Sequence, residues 1–158
     1  MQKITPCLWF DDQGEEAAAF YTSIFPNSRI GSIAYYGDVG PGKPGAAVTV
    51  DFELDGQRFV ALNGGPADFS FNEALSLMIH CDSQAEVDSY WDQLGKGGED
   101  GPCGWLKDRY GVSWQVVPSA LITLLQDPDP GRSQRAMAAM LTMKKIDVAA
   151  LHAAADQG

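Results

Sequence analysis

The alternation of apolar and polar positions divides the chain into short elements. Residues 4–10 (ITPCLWF) form a short apolar run that predicts a strand with Thr5, Cys7 and Trp9 on one face and Leu8 and Phe10 on the other. Asp12 and Glu15 stand at capping-box spacing, with Ala17, Phe20, Tyr21, Ile24 and Phe25 following as one helical stripe that Pro26-Asn27 stops. A strand is predicted over 29–36, then a loop over 37–45 rich in Gly and Pro. Val48, Val50, Phe52 and Leu54 alternate with Thr49, Asp51, Glu53 and Asp55, as expected of a strand with one wet face. Asp55-Gly56 predicts a type I′ turn, whose central residues both need positive φ, and residues 57–62 return as the partner strand.

The same order then recurs. Residues 74–81 read as a strand with Leu75, Leu77 and Ile79 on one face. Ser83 and Glu86 predict a second capping box, Val87, Tyr90, Trp91 and Leu94 mark a buried helical stripe, and Gly95 stands where a C-terminal cap is expected. After a glycine-rich stretch to Gly101, strands are predicted over 103–107 and 112–117. The two helical caps, Asp12 and Ser83, and the aromatic pairs Phe20-Tyr21 and Tyr90-Trp91 fall at matching places, which points to an internal duplication of a β-α-β-β-β unit. Two unrelated α+β units of similar size are the alternative. From Ser119 the pattern turns helical: a short helix over 121–125, a DPDPG turn over 127–131, a helix over 132–143 carrying Met137, Met140 and Leu141, and a last helix capped by Asp147. The methionine stripe is read as packing surface rather than a ligand surface.

Composition narrows the function classes. Eleven basic against twenty-one acidic residues among 158 give a net charge of −10, which opposes binding to nucleic acid or an anionic membrane. No apolar run approaches membrane-spanning length and the N-terminus lacks a signal pattern, so a cytoplasmic protein is expected. Three widely spaced cysteines, Cys7, Cys81 and Cys103, form no CxxC pair and are expected to be reduced thiols.

Four segments carry a family resemblance: GPCGWLKDRYGVSWQ at 101–115, ALNGGP at 61–66, FNEA at 71–74 and MKKID at 143–147. Together they resemble the PhnB-like branch, sometimes labelled demethylubiquinone methyltransferase-like, of the glyoxalase, bleomycin-resistance and extradiol-dioxygenase (vicinal oxygen chelate) superfamily. The resemblance implies an α+β fold of two βαβββ modules, about 1–68 and 69–118, forming a curled mixed sheet within a domain over 1–118. A helical extension over 119–158 completes the chain. It also implies a small-molecule site in the cup of the sheet and a homodimer.

Metal-dependent members of the superfamily place ligands on four strands. Carried onto this chain, those positions fall near Thr5, Asn63, Glu73 or Ala74, and Gln115, none of them a histidine. Neutral Thr, Asn and Gln hold a divalent ion poorly, and the two histidines, His80 and His152, lie elsewhere. No metal and no cofactor is therefore assigned. The residues expected to line a ligand site are Thr5, Cys7, Trp9, Asn63, Trp105, Trp114 and Gln115: tryptophans for a planar apolar ligand, with polar tips from Asn63 and Gln115. Cys7 as a nucleophile lacks a neighbour to lower its pKa. Lys107-Asp108-Arg109 is read as a solvated hairpin and Asp51/Glu53 as the wet side of a sheet. A methyl-donor enzyme of the common kind needs a glycine-rich strand-to-helix turn, and no GxGxxG pattern is present. A small-molecule-binding protein is the leading expectation. An isomerase, lyase or dioxygenase-like enzyme on a small oxygenated metabolite, and a dimeric interaction module, stand as alternatives.

Overall fold

The computed structural model describes residues 2–158. The chain divides into two compact units, one ending at Ser70 and the other running from Phe71 to Gly158.

In the first unit β1 (Cys7–Phe10), α1 (Gly14–Ile24), β2 (Arg29–Tyr35), β3 (Ala47–Leu54) and β4 (Gln57–Asn63) follow in order. The sheet order is β1-β4-β3-β2, with β1 parallel to β4 and the remaining pairs antiparallel. The period-2 reading of the sequence holds: Leu8 and Phe10 are buried, Cys7 and Trp9 exposed. Tyr21 of α1 stacks on Phe52 of β3, which in turn stacks on Phe59 of β4, with ring centroids 6.2 and 5.4 Å apart. That aromatic column is the centre of this unit's core. The β3–β4 turn is as expected, Asp55 and Gly56 both having positive φ (48° and 78°).

The second unit repeats the plan. β5 (Ser76–Cys81), α2 (Gln84–Gly95), β6 (Glu99–Asp100), β7 (Trp105–Lys107) and β8 (Ser113–Pro118) form a sheet of order β5-β8-β7-β6, β5 again parallel to its neighbour β8. Identical strand order and the same parallel first-to-last pairing confirm the duplicated βαβββ module. The single curled sheet expected from the sequence is resolved into two four-stranded sheets. Val87, Trp91 and Leu94 of α2 are buried, as their spacing predicts.

Three local readings are corrected. The box at Asp12 and Glu15 does not form: α1 begins after Gln13 without a cap from its own segment. At α2, Ser83 accepts from Glu86 N–H as expected, but the glycine with positive φ after the helix is Gly97 rather than Gly95. The strand expected from residue 103 starts at Trp105, because Cys103 and Gly104 both take positive φ (58° and 84°) in a turn. Strand β6, two residues long, lies in the glycine-rich stretch and was not predicted; two positions carry no readable alternation.

The last residues form α3 (Ser119–Leu125), α4 (Pro130–Met140) and α5 (Val148–Asp156), with Asp129 and Asp147 as N-caps. Their core joins Leu121, Leu124, Ala136, Ile146 and Leu151 to Val117 of β8. The segment between α4 and α5 is hydrogen-bonded to the 103–104 turn: Cys103 N–H donates to Met143 C=O and Gly104 N–H to Lys144 C=O, at 2.8 and 2.7 Å.

Candidate functional site

Strand register decides which expected site residues share a face, since cross-strand partners stand side by side. In the second unit Trp105 pairs with Gln115, and Gln115 with Met78, forming one row. The adjoining row on the same face is Glu99, Lys107, Ser113 and Ser76. Trp114 belongs to the opposite face, where it pairs with Leu106 and Leu77 and is 2% exposed. Consecutive residues of a strand point to opposite faces, so Trp114 and Gln115 cannot both line one site.

Asp108 explains why Trp114 turns inward. Its Oδ2 accepts from Trp114 Nε1 at 2.8 Å, while Oδ1 accepts from Tyr110 and Val112 N–H at 2.8 and 3.1 Å. Asp108 is 3% exposed, so the turn expected to be a solvated charge cluster is organised by a buried carboxylate. Lys107 is also engaged, its Nζ 2.5 Å from Glu73 Oε1. The hydrogen bond to Lys107 holds Glu73 below the usual carboxylate range, and the same contact, with Glu99 adding, raises Lys107.

A cavity of about 370 Å³ opens on the face of the Glu99–Lys107–Ser113 row. Trp105, half-buried, lines it, and the turn at 101–103 forms a further wall. Ser113 lines it and is 1% exposed; its Oγ has no hydrogen-bond partner. Sequence reasoning found Trp105, reached Glu73 only as a carried-over metal-ligand position, and missed Glu99 and Ser113. The signal for Ser113 was its parity with Gln115. Gln115 itself donates from Nε2 to Ser76 Oγ at 2.9 Å on the same sheet face.

In the first unit Cys7 and Trp9 occupy the exposed face of β1, and Thr5 precedes the strand, half-buried. Trp9 Nε1 donates to Gly65 C=O at 3.0 Å and its ring meets Phe69 edge-on, centroids 5.3 Å apart. Gly64 passes directly beneath the indole; a Cβ there would overlap the ring. Partial burial pushes the Cys7 thiol up, away from the thiolate a nucleophile needs. Asn63 is buried on the face opposite Trp9: its register partner is Phe10, and its amide bonds the backbone of Gly14 and Ala47. It is a structural residue there, not a polar tip for a ligand. Asp51 and Glu53 are both paired with arginines, Arg58 at 2.9 Å and Arg29 at 3.0 Å, so they do not share a proton.

The superfamily's metal finds no fitting donors at the positions carried over. Asn63 is spent on the backbone, Gln115 on Ser76 and Glu73 on Lys107. Among the described residues no group of three or more His, Cys, Asp or Glu side chains is arranged to hold a metal ion.

Duplicated βαβββ modules with parallel first and last strands define the class: this is an α+β fold like that of the glyoxalase and bleomycin-resistance proteins. The chain belongs to the family described as 3-demethylubiquinone-9 3-methyltransferase, whose profile matches residues 2–117, and so to the PhnB-like branch of the vicinal oxygen chelate superfamily. It is similar to a solved putative 3-demethylubiquinone-9 3-methyltransferase, PhnB protein, from Bacillus cereus. The two are 38% identical over 75% of this chain and 100% of that one, with a TM-score of 0.68. A protein from Pseudomonas aeruginosa is 20% identical over 75% of this chain and 98% of its own, TM-score 0.63. The fosfomycin resistance protein FosX from Mesorhizobium loti is 13% identical over 73% of this chain and 91% of its own, TM-score 0.52; these two share the fold. No curated protein matches the chain. Residues 118–158 lie beyond the family match.

Proposed function

We propose that this protein binds a small organic molecule in the cavity of its second unit, and that it does so as a cytoplasmic homodimer. The observation that carries the reading is the cavity itself: about 370 Å³, walled by Trp105, with a buried, unpartnered hydroxyl at Ser113. Mostly apolar concavities with a few convergent polar groups are the usual form of small-ligand sites. Catalysis of methyl transfer, which the family's name mentions, is not part of the proposal. Neither α1 nor α2 opens from a glycine-rich turn, and the only parallel pairs among the described residues are β1–β4 and β5–β8.

The test is ligand-detected NMR of the full chain against a library of small aromatic compounds, repeated with Trp105→Ala. Binding that is lost in the folded variant supports the cavity as the site. Binding unchanged by Trp105→Ala, or no binding by any compound, overturns it. Native mass spectrometry of the same sample reads the subunit number, and a monomer would overturn the dimer.

A further inference from the structure

We propose that the ligand of this cavity is a small organic monocation, a protonated amine on an apolar or aromatic body. The proposal rests on the cavity being the ligand site and adds the chemistry that the site selects.

Glu99, Lys107 and Ser113 stand in one row across β6, β7 and β8 and all line the cavity. The only ammonium among these lining residues, that of Lys107, is held at 2.5 Å by Glu73, which lines the same cavity. Two carboxylates on this face therefore meet one ammonium, and one negative charge is left for a ligand to neutralise. Asp100 also lines the cavity, but its carboxylate is turned away from this row: its register partner is Leu106, on the opposite face, and its Oδ1 lies beside Gly95 at the end of α2. The net charge of −10 makes the surrounding field favour a cation and oppose an anion. The Trp105 ring offers a further attraction, since a cation is drawn to the indole face.

Ser113 supplies an independent reason to expect a ligand. A buried hydroxyl normally finds a partner, yet Ser113 Oγ, in a residue only 1% exposed, has none. A hydroxyl oxygen can accept from an ammonium N–H. Lys107 stands between Glu99 and Ser113 in this row, but its ammonium is drawn to Glu73. An amine lying over the aliphatic stem of Lys107 would give the orphan oxygen a donor and the Glu99 carboxylate a counter-charge. Its carbon body would then lie towards Trp105, in the row beside Ser113.

The experiment compares three probes of nearly equal size by calorimetry on the full chain at neutral pH and low salt: 2-phenylethylamine, 2-phenylethanol and phenylacetate. The amine should bind about tenfold or more tightly than the alcohol, and phenylacetate should bind more weakly than either. Glu99→Gln, at an exposed strand edge, should bring the amine down to the alcohol's affinity and leave the alcohol unchanged. Ser113→Ala should weaken the amine more than the alcohol. Equal binding of amine and alcohol, or a preference that survives Glu99→Gln, overturns the monocation while leaving the cavity as a binding site. If none of the three probes binds, or if their binding is indifferent to Trp105→Ala, the cavity reading falls as well.

Discussion

Asn63, at the end of β4, caps helix α1 from across the sheet: its Oδ1 accepts from Gly14 N–H at 2.7 Å, while its Nδ2 donates to Ala47 C=O at 3.1 Å. The first N–H groups of a helix have no partner within it, and Gln13 makes no side-chain cap here. Gly14 is small enough for the approach; a Cβ on it would stand 2.7 Å from Asn63 Oδ1.

This bond sets a contrast between two amides. Asn63→Leu leaves one buried donor and one buried acceptor unpaired, and should cost about 2–6 kcal/mol at roughly 1–3 for each orphaned group. Gln115→Leu removes only a half-buried bond to Ser76 Oγ and should change stability by less than about 1 kcal/mol. Urea unfolding of both variants checks this. Equal losses would remove the distinction between Asn63 as framework and Gln115 as a residue of the open face.

The buried carboxylate of Asp108 makes a second prediction. Asp108→Ala strips the acceptor from Trp114 Nε1, Tyr110 N–H and Val112 N–H together. Hydrogen bonds to a charged group contribute more than neutral ones, so a loss of about 3 kcal/mol or more is expected. Asp108→Asn keeps one oxygen and should retain part of that stability. Near-ultraviolet circular dichroism should report the change at Trp114, and an unaltered Trp114 signal in Asp108→Ala would count against this account.

Period-2 alternation and the repeated order of elements made the two modules legible, because each strand buries one face and each helix one stripe. What escaped was decided by parity and by remote contacts. Trp114 and Gln115 are neighbours in sequence and both have the character of site residues, yet a strand must turn them to opposite faces. Asn63 looked like a ligand-facing polar tip because its partners, Gly14 and Ala47, are distant in the chain and in no pattern with it. Glu99 was hidden in a two-residue strand. Cys7 and Trp9 fell on an open face as the alternation of β1 implied, whereas Trp105 was reached through the family resemblance.

Gln84 should latch the helical extension to α2. Its Nε2 donates to Ile146 C=O at 2.9 Å and its Oε1 accepts from Val148 N–H at 2.8 Å, closing over fully buried Ile146. Gln84→Ala removes these two bonds and the one that Nε2 also gives Asp88 Oδ1 at 3.0 Å, so it should cost about 1–3 kcal/mol and speed hydrogen exchange at Val148. Gln84→Glu keeps the acceptor but sets a carboxylate against Ile146 C=O and near Asp88, so it should not rescue. Unchanged exchange at Val148 in the alanine variant would show that the apolar contacts hold the segment unaided.

The alkaline limb of stability should carry the mark of Cys81. Its thiol is wholly buried at the end of β5, and burial, with Glu86 and Asp82 adding, pushes its pKa from 9.0 to about 11. The folded state thus holds the thiol proton more tightly than the unfolded chain. Between pH 9.0 and about 11 the unfolded chain binds fewer protons, so stability falls as pH rises through that window and is fully present below it. Tyrosines and lysines also titrate in this range, so the informative quantity is a difference in slope. Cys81→Ala lowers stability at every pH by the packing it removes, but its decline across the window should be shallower than that of the parent chain. Thermal unfolding of both proteins across this range measures the two slopes. Parallel curves would mean that the thiol keeps an ordinary affinity for its proton in the folded protein, and that burial at this site does not resist its ionisation.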